Sequence, residues 1–156
     1  MGTGGDISVN RKALRDYHIL ARYEAGIVLK GTEVKSIRAG FANVGNAFAK
    51  IEKGEVWLYD LDIQAYAKAS HTQHEPKQVR KLLMHRQEIE KLFGKVQVEG
   101  HALIALRLYW KDSRVKVELG VGKGKLAHDK RQDIKTRVEK READRAMSDF
   151  NKRRNK

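Results

Sequence analysis

The sequence contains no cysteine and a single proline, Pro76, among 156 residues. Without cysteine the chain can form neither a disulfide framework nor a thiolate metal site. It also lacks a long apolar run and an amphipathic helix with a wide apolar face, which argues against membrane binding. Its first ten residues do not show the basic and then apolar order of an export signal, so we expect a cytoplasmic protein.

Negative charge is also scarce. The 33 lysines and arginines outnumber the 20 aspartates and glutamates, which gives a net charge of +13. Such a chain attracts extended polyanions, and nucleic acid is the first partner to expect. The length is that of one domain with one core.

Candidate reaction centres are few. His71, His74 and Glu75 have a spacing that suits part of a metal site, but no second cluster completes four ligands. The segment 31–36, GTEVKS, ends like a phosphate-binding loop but lacks its earlier glycine. Asp60 and Asp62 are typical of a solvent-facing strand edge rather than of an acid and base. The sequence therefore predicts no enzyme, no metal and no cofactor.

Alternating apolar residues predict five or six antiparallel strands. Residues 17–29 form one long bent strand, and residues 46–66 form two strands joined by a turn at Lys53 and Gly54. Residues 102–110 and 114–121 form a second hairpin. In the first hairpin, one face is predicted to carry Trp57, Tyr59, Leu61 and Ile63.

Two stretches have helical signals. Residues 31–40 predict a short helix with Thr32 as a possible cap and Gly40 at its end. Arg80 to Val96 predict a longer helix, because their apolar residues follow helical spacing. The polar segment 68–78 between the predicted elements is a loop.

These elements predict a mainly β fold with helices. Closure protects the edges of a small sheet, so we expect an antiparallel OB-fold-like β-barrel with flanking α-helices and a basic C-terminal tail. A sandwich with packed helices is the alternative. We expect a flexible N-terminus over 1–9, an RNA-binding barrel over 10–122 and the tail over 123–156.

The tail has too little apolar surface to fold alone. It holds 13 basic and six acidic residues, a net charge of +7. Its large apolar residues are Leu126, Ile134, Val138, Met147 and Phe150. Burying all five gains on the order of 10 kcal/mol, whereas ordering its residues costs about 1 to 2 kcal/mol each. We predict a tail that is disordered alone and helical against a partner.

Basic residues lie beside aromatic ones in two places. Arg11, Lys12 and Arg15 precede Tyr17 and His18, and a second group of lysines surrounds His128. Phosphates bind cations and unstacked bases bind flat rings, so both places are candidate RNA contacts, with ordinary solvated faces as the alternative. A general RNA-binding or ribosome-associated module is the first hypothesis, and a small nuclease or RNA-modifying enzyme is the second.

Four segments add a family resemblance. The chain resembles the SmpB family of tmRNA-binding (SsrA-binding) proteins in the order and spacing of NRKALRDY, YEAGIVLKGTEVKSIRAGFANV, RKLLMHRQEIEKL and VKVELGVGKGKLAHDKRQDIKTR. The resemblance implies an OB-type barrel and a role in trans-translation. It implies binding to the tRNA-like domain of tmRNA, which is delivered to ribosomes stalled without a stop codon, with no catalytic step.

The resemblance also implies partners and two sets of site residues. The partners are tmRNA and small-subunit ribosomal RNA and, indirectly, alanyl-tRNA synthetase and elongation factor Tu, with the protein acting as a monomer. The implied tmRNA face comprises Asn10, Arg11, Lys12, Tyr17, Glu24, Glu33, Lys35, Asn43, Leu83 and His85. Whether Glu24 and Glu33 contact RNA or brace the barrel is left open.

The tail is implied to probe the decoding centre and the empty mRNA channel. His128 would stack on a ribosomal base, and a helix starting near Asp129 would occupy the channel. The implied tail residues are Gly124, Lys125, His128, Asp129, Lys130, Arg131, Ile134, Lys135 and Arg137.

Overall fold

The computed structural model describes residues 5–66, 73–98, 100–125 and 127–154. They divide into two units, with the boundary between Gly124 and Lys125. The first unit contains nine strands and three helices in its described part, and the second is one helix. In chain order the elements are β1 Asp6–Val9, α1 Arg11–Asp16, β2 Tyr17–Ile27, α2 Gly31–Arg38, β3 Ala42–Asn43, β4 Phe48–Glu52, β5 Glu55–Tyr59, β6 Asp62–Ile63, β7 Arg80–Leu83, α3 Arg86–Val96, β8 His101–Lys111, β9 Arg114–Gly124 and α4 Ala127–Arg154.

Six of these strands form a closed antiparallel ring in the order β8-β4-β5-β7-β2-β9, and β9 pairs back onto β8. β1 pairs with β8 beside the ring, and β3 and β6 form a separate two-stranded sheet. The ring is not a strict barrel, because β4 and β8 share a single register pair, Phe48 with Ile104. The predicted mainly β, barrel-like class is confirmed, with this weak junction as its departure from the ideal.

Two tight turns fix the hairpins. Lys53 and Gly54 both have positive φ between β4 and β5, and so do Asp112 and Ser113 between β8 and β9. Two consecutive residues of this kind form the turn whose twist matches that of paired strands. Both predicted hairpins are therefore present.

The core fills the ring from one face of each strand. Val115, Val117, Leu119 and Val121 alternate on β9 and are all buried, as their spacing predicts. α3 adds Leu92, which is fully buried. A second, smaller cluster of Ala13, Ile104 and Leu106 joins α1 to the outside of β8. A methyl group at Gly120 would lie 2.7 Å from Leu106, so this glycine permits the close packing.

A buried ion pair anchors α2. Glu33 and Arg80 are almost fully buried and are joined by a salt bridge. Glu33 also accepts from the backbone N–H of Lys30 at 2.9 Å, which caps the helix. The Arg80 guanidinium donates to backbone carbonyl oxygens of four residues, Leu61, Glu75, Pro76 and Gln78. This one side chain thereby holds α2 and the segment 75–78 against β7.

Helix α2 differs from its prediction at the N-terminus. Thr32 lies inside the helix, and its hydroxyl pairs with Nδ1 of the buried His74 at 2.9 Å rather than capping the helix. Nε2 of His74 donates to the carbonyl oxygens of Ile63 and Gln64. His74 therefore ties the loop to α2, and His71 lies outside the described residues. Gly40 has a φ of 87° and ends the turn as predicted.

Two predictions about side chains and elements are wrong. Trp57 and Tyr59 do not share the buried face of Leu61 and Ile63, because Asp60, with a φ of 59°, ends β5 and breaks the alternation; the buried residues of β5 are Val56 and Leu58. Arg80–Leu83 form strand β7 between β5 and β2, so the predicted long helix begins only at Arg86.

Three further differences concern the ends of the first unit. Strand β1 lies within the glycine-rich lead, and α1 follows it with Asn10 as its N-cap. Neither element was predicted. Strand β9 continues two residues past the predicted domain boundary, because Lys123 and Gly124 still pair with β2.

The second unit is helix α4, Ala127–Arg154. Ile134, Val138, Met147 and Phe150 are all exposed on it, each by roughly half or more. No helix in the described ranges is both long and apolar enough to cross a membrane.

We predict that Arg80→Met destabilises the fold by about 3 to 5 kcal/mol, because it leaves the Glu33 carboxylate buried without its partner. The matched control is the neighbouring Lys81→Met, which removes an exposed 3.2 Å pair with Glu55 and should cost about 1 kcal/mol or less. Urea unfolding of both variants measures the difference. Equal, small losses for the two variants would contradict an anchoring role for Arg80.

Candidate nucleic-acid interface

An exposed surface lies on the outer side of β2 near its end. Leu83 on β7 pairs with Gly26 on β2, and Lys116 on β9 pairs with Gly26 from the other side. A methyl group at Gly26 would lie 3.3 Å from Cβ of Leu83 and 3.7 Å from Nζ of Lys116. Val28 and Leu83 are about half exposed. The glycine thus leaves a shallow apolar patch with a cation at its side.

Glu24 lies on the same side of β2, two residues from Gly26. The hydroxyl of Tyr109 donates to its Oε2 at 2.5 Å, and Nζ of Lys111 lies 3.2 Å from both carboxylate oxygens. The hydrogen bond from Tyr109 lowers the pKa of Glu24, although partial burial opposes this. Glu24 is therefore a fixed, ionised carboxylate that is still exposed to a ligand.

A series of paired charged side chains supports the ring of Tyr109. The guanidinium of Arg107 lies 4.2 Å from the centre of the Tyr109 ring and pairs with Asp6 and Glu118. Glu118 also pairs with Arg22 at 2.6 Å. Burial would raise the pKa of Glu118, but the hydrogen bonds from both arginines lower it below the ordinary value. We refer to the surface formed by Glu24, Gly26, Val28, Leu83, Tyr109, Lys111 and Lys116 as the β2 face.

The β2 face combines three kinds of group. Its carboxylate can accept from ribose hydroxyls or base amines, its lysines can pair with phosphates, and its apolar patch can pack on a sugar or base. Folded RNA presents hydroxyls, phosphates and sugars or bases close together, so it can contact all three kinds of group at once. This arrangement fits RNA better than a reaction centre.

The predicted tmRNA-binding residues near the N-terminus are not part of the β2 face. They lie at α1 and just after it. Arg11 and Lys12 are exposed, whereas Asn10 is buried. The Asn10 side chain accepts from the N–H of Ala13 and donates to the carbonyl of Ala105, so it braces α1. Tyr17 is half-buried where β2 pairs with the end of β9.

The remaining predicted barrel residues are dispersed. Glu33 is buried in the Arg80 cluster and braces the fold, whereas Glu24 is accessible. Lys35 is exposed on α2 over the ring of Tyr66, and Asn43 accepts from the N–H of Gly45. His85 is exposed at the start of α3, two residues after Leu83. The ten residues therefore do not form one continuous face.

The predicted tail residues also lie in different parts of the structure. Gly124 ends β9, and Arg131, Ile134, Lys135 and Arg137 are exposed on α4. Lys125 is half-buried. His128, Asp129 and Lys130 lie outside the described side chains.

Five residues of the β2 face were not among the predicted site residues, namely Gly26, Val28, Tyr109, Lys111 and Lys116. The two-residue turn between β8 and β9 fixes Tyr109 opposite Lys116, and alternation puts them on the outer side. The outward position of Tyr109 and Lys116 could therefore have been predicted from the sequence. The pairing of β2 with β9, which brings Glu24 to them, joins segments about a hundred residues apart and has no local signal.

Comparisons with known proteins agree with one another. The SmpB protein family matches residues 7–149. An SsrA-binding protein of Carboxydothermus hydrogenoformans is 52% identical over 141 residues, covering 90% of this chain and 95% of the relative. One from Bacillus subtilis is 50% identical and covers 97% of both chains. A solved structure described as "tmRNA-SmpB: a journey to the center of the bacterial ribosome" contains a similar chain, with 47% identity and a TM-score of 0.65, covering 76% of this chain and 84% of that one.

We predict that Tyr109 keeps its proton to a higher pH than an exposed tyrosine, because burial and then the bond to Glu24 raise its pKa. In Glu24→Gln the pKa of Tyr109 should fall toward the ordinary value of about 10, since the neighbouring negative charge is gone. An NMR pH titration of ring-labelled tyrosine measures both proteins, and Tyr59, bonded to Glu52, is the internal control. An unmoved Tyr109 pKa would contradict the pairing.

Proposed function

The chain belongs to the SmpB family of SsrA-binding proteins, and we propose that it binds the tRNA-like domain of tmRNA through the β2 face and acts in trans-translation. The exposed, ionised Glu24 beside Leu83 carries this proposal. A carboxylate on an RNA-binding surface repels phosphates, so it is favourable only where it accepts a defined hydrogen bond. Glu24 therefore selects the position of the RNA rather than only attracting it.

Cations around the β2 face supply the attraction. Lys111 and Lys116 flank Glu24, and Lys81 follows on β7. Each phosphate contact adds affinity that falls as salt rises. The apolar pair Val28 and Leu83 gives a surface for a sugar or an unstacked base. His85, exposed beside it, can extend the same contact.

We propose a separate role for the tail, residues 123–156. Its charge of +7 attracts ribosomal RNA, and its exposed apolar residues gain burial only when a partner covers them. A tail whose residues beyond Gly124, the end of β9, are disordered alone and helical in an empty mRNA channel would detect missing message, because occupied channels deny it those contacts. His128 and the segment through Arg137 would probe the decoding centre.

The same proposal covers the remaining partners. The protein would act as a cytoplasmic monomer without a catalytic step, because it belongs to a family of RNA-binding proteins. Alanyl-tRNA synthetase and elongation factor Tu would act on the same RNA and be indirect partners. The ribosome-bound chain that resembles this one supports a ribosomal site of action.

We predict that Glu24→Gln and Tyr109→Phe each weaken tmRNA binding, the latter by about two- to tenfold, because one positioning hydrogen bond is lost. In Glu24→Gln/Tyr109→Phe, the loss should be smaller than the sum of the two single losses, since the tyrosine acts through the carboxylate. The salt dependence of Tyr109→Phe should equal that of the wild type, because no phosphate contact is removed. Fluorescence anisotropy measures all three variants.

Tyr59→Phe is the matched control, because it also removes a hydroxyl that donates to a glutamate, at 3.2 Å, away from the β2 face. Its affinity should be unchanged. An ordinary tRNA of equal length tests selectivity for tmRNA. If both RNAs bind equally and all variants match the wild type, the chain is a general RNA-binding module.

We predict that a chain ending at Lys125 binds tmRNA almost as tightly as the full chain but no longer supports tagging on stalled ribosomes. The reason is that the first unit keeps the β2 face, while α4 lies wholly beyond the cut. Anisotropy and an in vitro tagging assay measure the two activities. Equal loss of both would contradict this division of roles.

A further inference from the structure

Two glutamates of neighbouring strands lie side by side on the outer side of the ring. Glu24 of β2 and Glu118 of β9 are partners in the strand register. Residues that are directly opposite in an antiparallel pair have their Cβ atoms about 5 Å apart, so like charges at such positions repel each other. The accessible carboxylate of the β2 face therefore has a second carboxylate next to it, and that second charge needs compensation.

Two arginines compensate the charge of Glu118. Nε of Arg107 donates to Oε2 of Glu118 at 2.8 Å, and Nη1 of Arg22 donates to Oε1 at 2.6 Å. Each oxygen of this carboxylate thus has its own guanidinium, and the side chain is only 14% exposed. The side chain of Glu24, by contrast, is 40% exposed. One glutamate is engaged within the protein, and the other remains accessible.

Arg107 also connects Glu118 to the tyrosine that binds Glu24. Its guanidinium carbon lies 4.2 Å from the centre of the Tyr109 ring, and its Nη1 donates to Asp6 of β1 at 2.7 Å. Asp6 and Tyr109 are themselves register partners. The hydrogen bonds to Glu118 and then to Asp6 raise the pKa of Arg107, so the guanidinium stays charged.

We propose that Arg107 is a positioning residue of the β2 face, because it keeps Glu118 from repelling Glu24 and fixes the ring whose hydroxyl orients the Glu24 carboxylate. Without Arg107, Glu118 keeps a single cation, and its remaining charge acts on Glu24 across the register. The accessible carboxylate then loses the fixed direction that a defined hydrogen bond to RNA requires. The inference rests on tmRNA binding through the β2 face and adds that β1, through Asp6, contributes to it.

Positioning is favoured over a direct contact between Arg107 and a phosphate. Nε, Nη1 and the face of the guanidinium are all engaged within the protein, and two carboxylates offset its charge. The two roles differ in their salt dependence. A phosphate contact releases counterions and adds to the slope of log affinity against log salt, whereas a positioning residue does not.

The test measures tmRNA binding by the full chain with fluorescence anisotropy at several salt concentrations. We expect Arg107→Gln to weaken binding by about two- to fivefold, the effect of one uncompensated pair of like charges, with the salt slope unchanged. Lys91→Gln, exposed on α3, is the matched control for the loss of one positive charge, and its affinity should stay near that of the wild type.

A second substitution, Glu118→Gln, gives a readout that a merely structural role would not move. It removes the repelling charge, so it should raise the affinity by a larger factor in Arg107→Gln than in the wild-type chain. The pKa of Glu24 should be higher in Arg107→Gln than in the wild type and lower again in Arg107→Gln/Glu118→Gln. An NMR pH titration of carboxyl-labelled glutamate measures it.

Three results would each overturn the inference: Arg107→Gln binds tmRNA like Lys91→Gln, it lowers the salt slope by about 0.9, the value for one phosphate contact to a duplex, or Glu118→Gln has the same effect in both backgrounds. If Glu24→Gln still weakens binding in these cases, only the role of Arg107 fails and the β2 face stands. If Glu24→Gln also binds like the wild type, the proposed function fails as well.

Discussion

Strand β9 pairs with β2 along one edge and with β8 along the other, and most of the structure depends on this double pairing. It closes the ring and buries one side of β9. On the other side it brings Glu24 of β2 to Tyr109 of β8, because Lys116 pairs with Tyr109 on one side and with Gly26, two residues from Glu24, on the other. The same pairing places Tyr17 opposite Gly124, so α1 and the end of the first unit are neighbours. One strand thereby organises both the β2 face and the surroundings of α1.

Local pattern was sufficient where an element is specified by its own residues. The β8–β9 hairpin follows from alternation and a two-residue turn, and α2 follows from its spacing and Gly40. Pattern failed where distant segments decide. Arg80–Leu83 is too short to show a period, and it is a strand because β5 and β2 offer edges on both sides. The positive φ of Asp60 likewise breaks the alternation between Tyr59 and Leu61 without a glycine to signal it.

Site prediction followed the same division. The resemblance supplied Glu24 and Leu83 but could not separate them from Glu33 and Asn10, which the fold buries as bracing groups. Both kinds of residue are polar and lie in the same motifs, so only burial distinguishes them. Arg80 shows why Glu33 is buried, since a glutamate in a core needs a cation beside it. Tyr109 was missed because the sequence around a tyrosine in an apolar strand does not show which residue its hydroxyl will bond to.

The charge of the chain is divided in a way that suits two modes of RNA recognition. The first 122 residues carry a net charge of only +6, with acidic side chains between the cations, whereas the shorter tail carries +7. On the β2 face each cation has an anion in reach, so a misplaced phosphate meets Glu24 and is repelled. On α4 the described side chains are exposed and include nine basic residues against four acidic ones, so attraction acts over a longer range and with less discrimination. Under the proposed function, discrimination in the tail would then come from the shape of the space that receives it, and in the body from the fixed carboxylate.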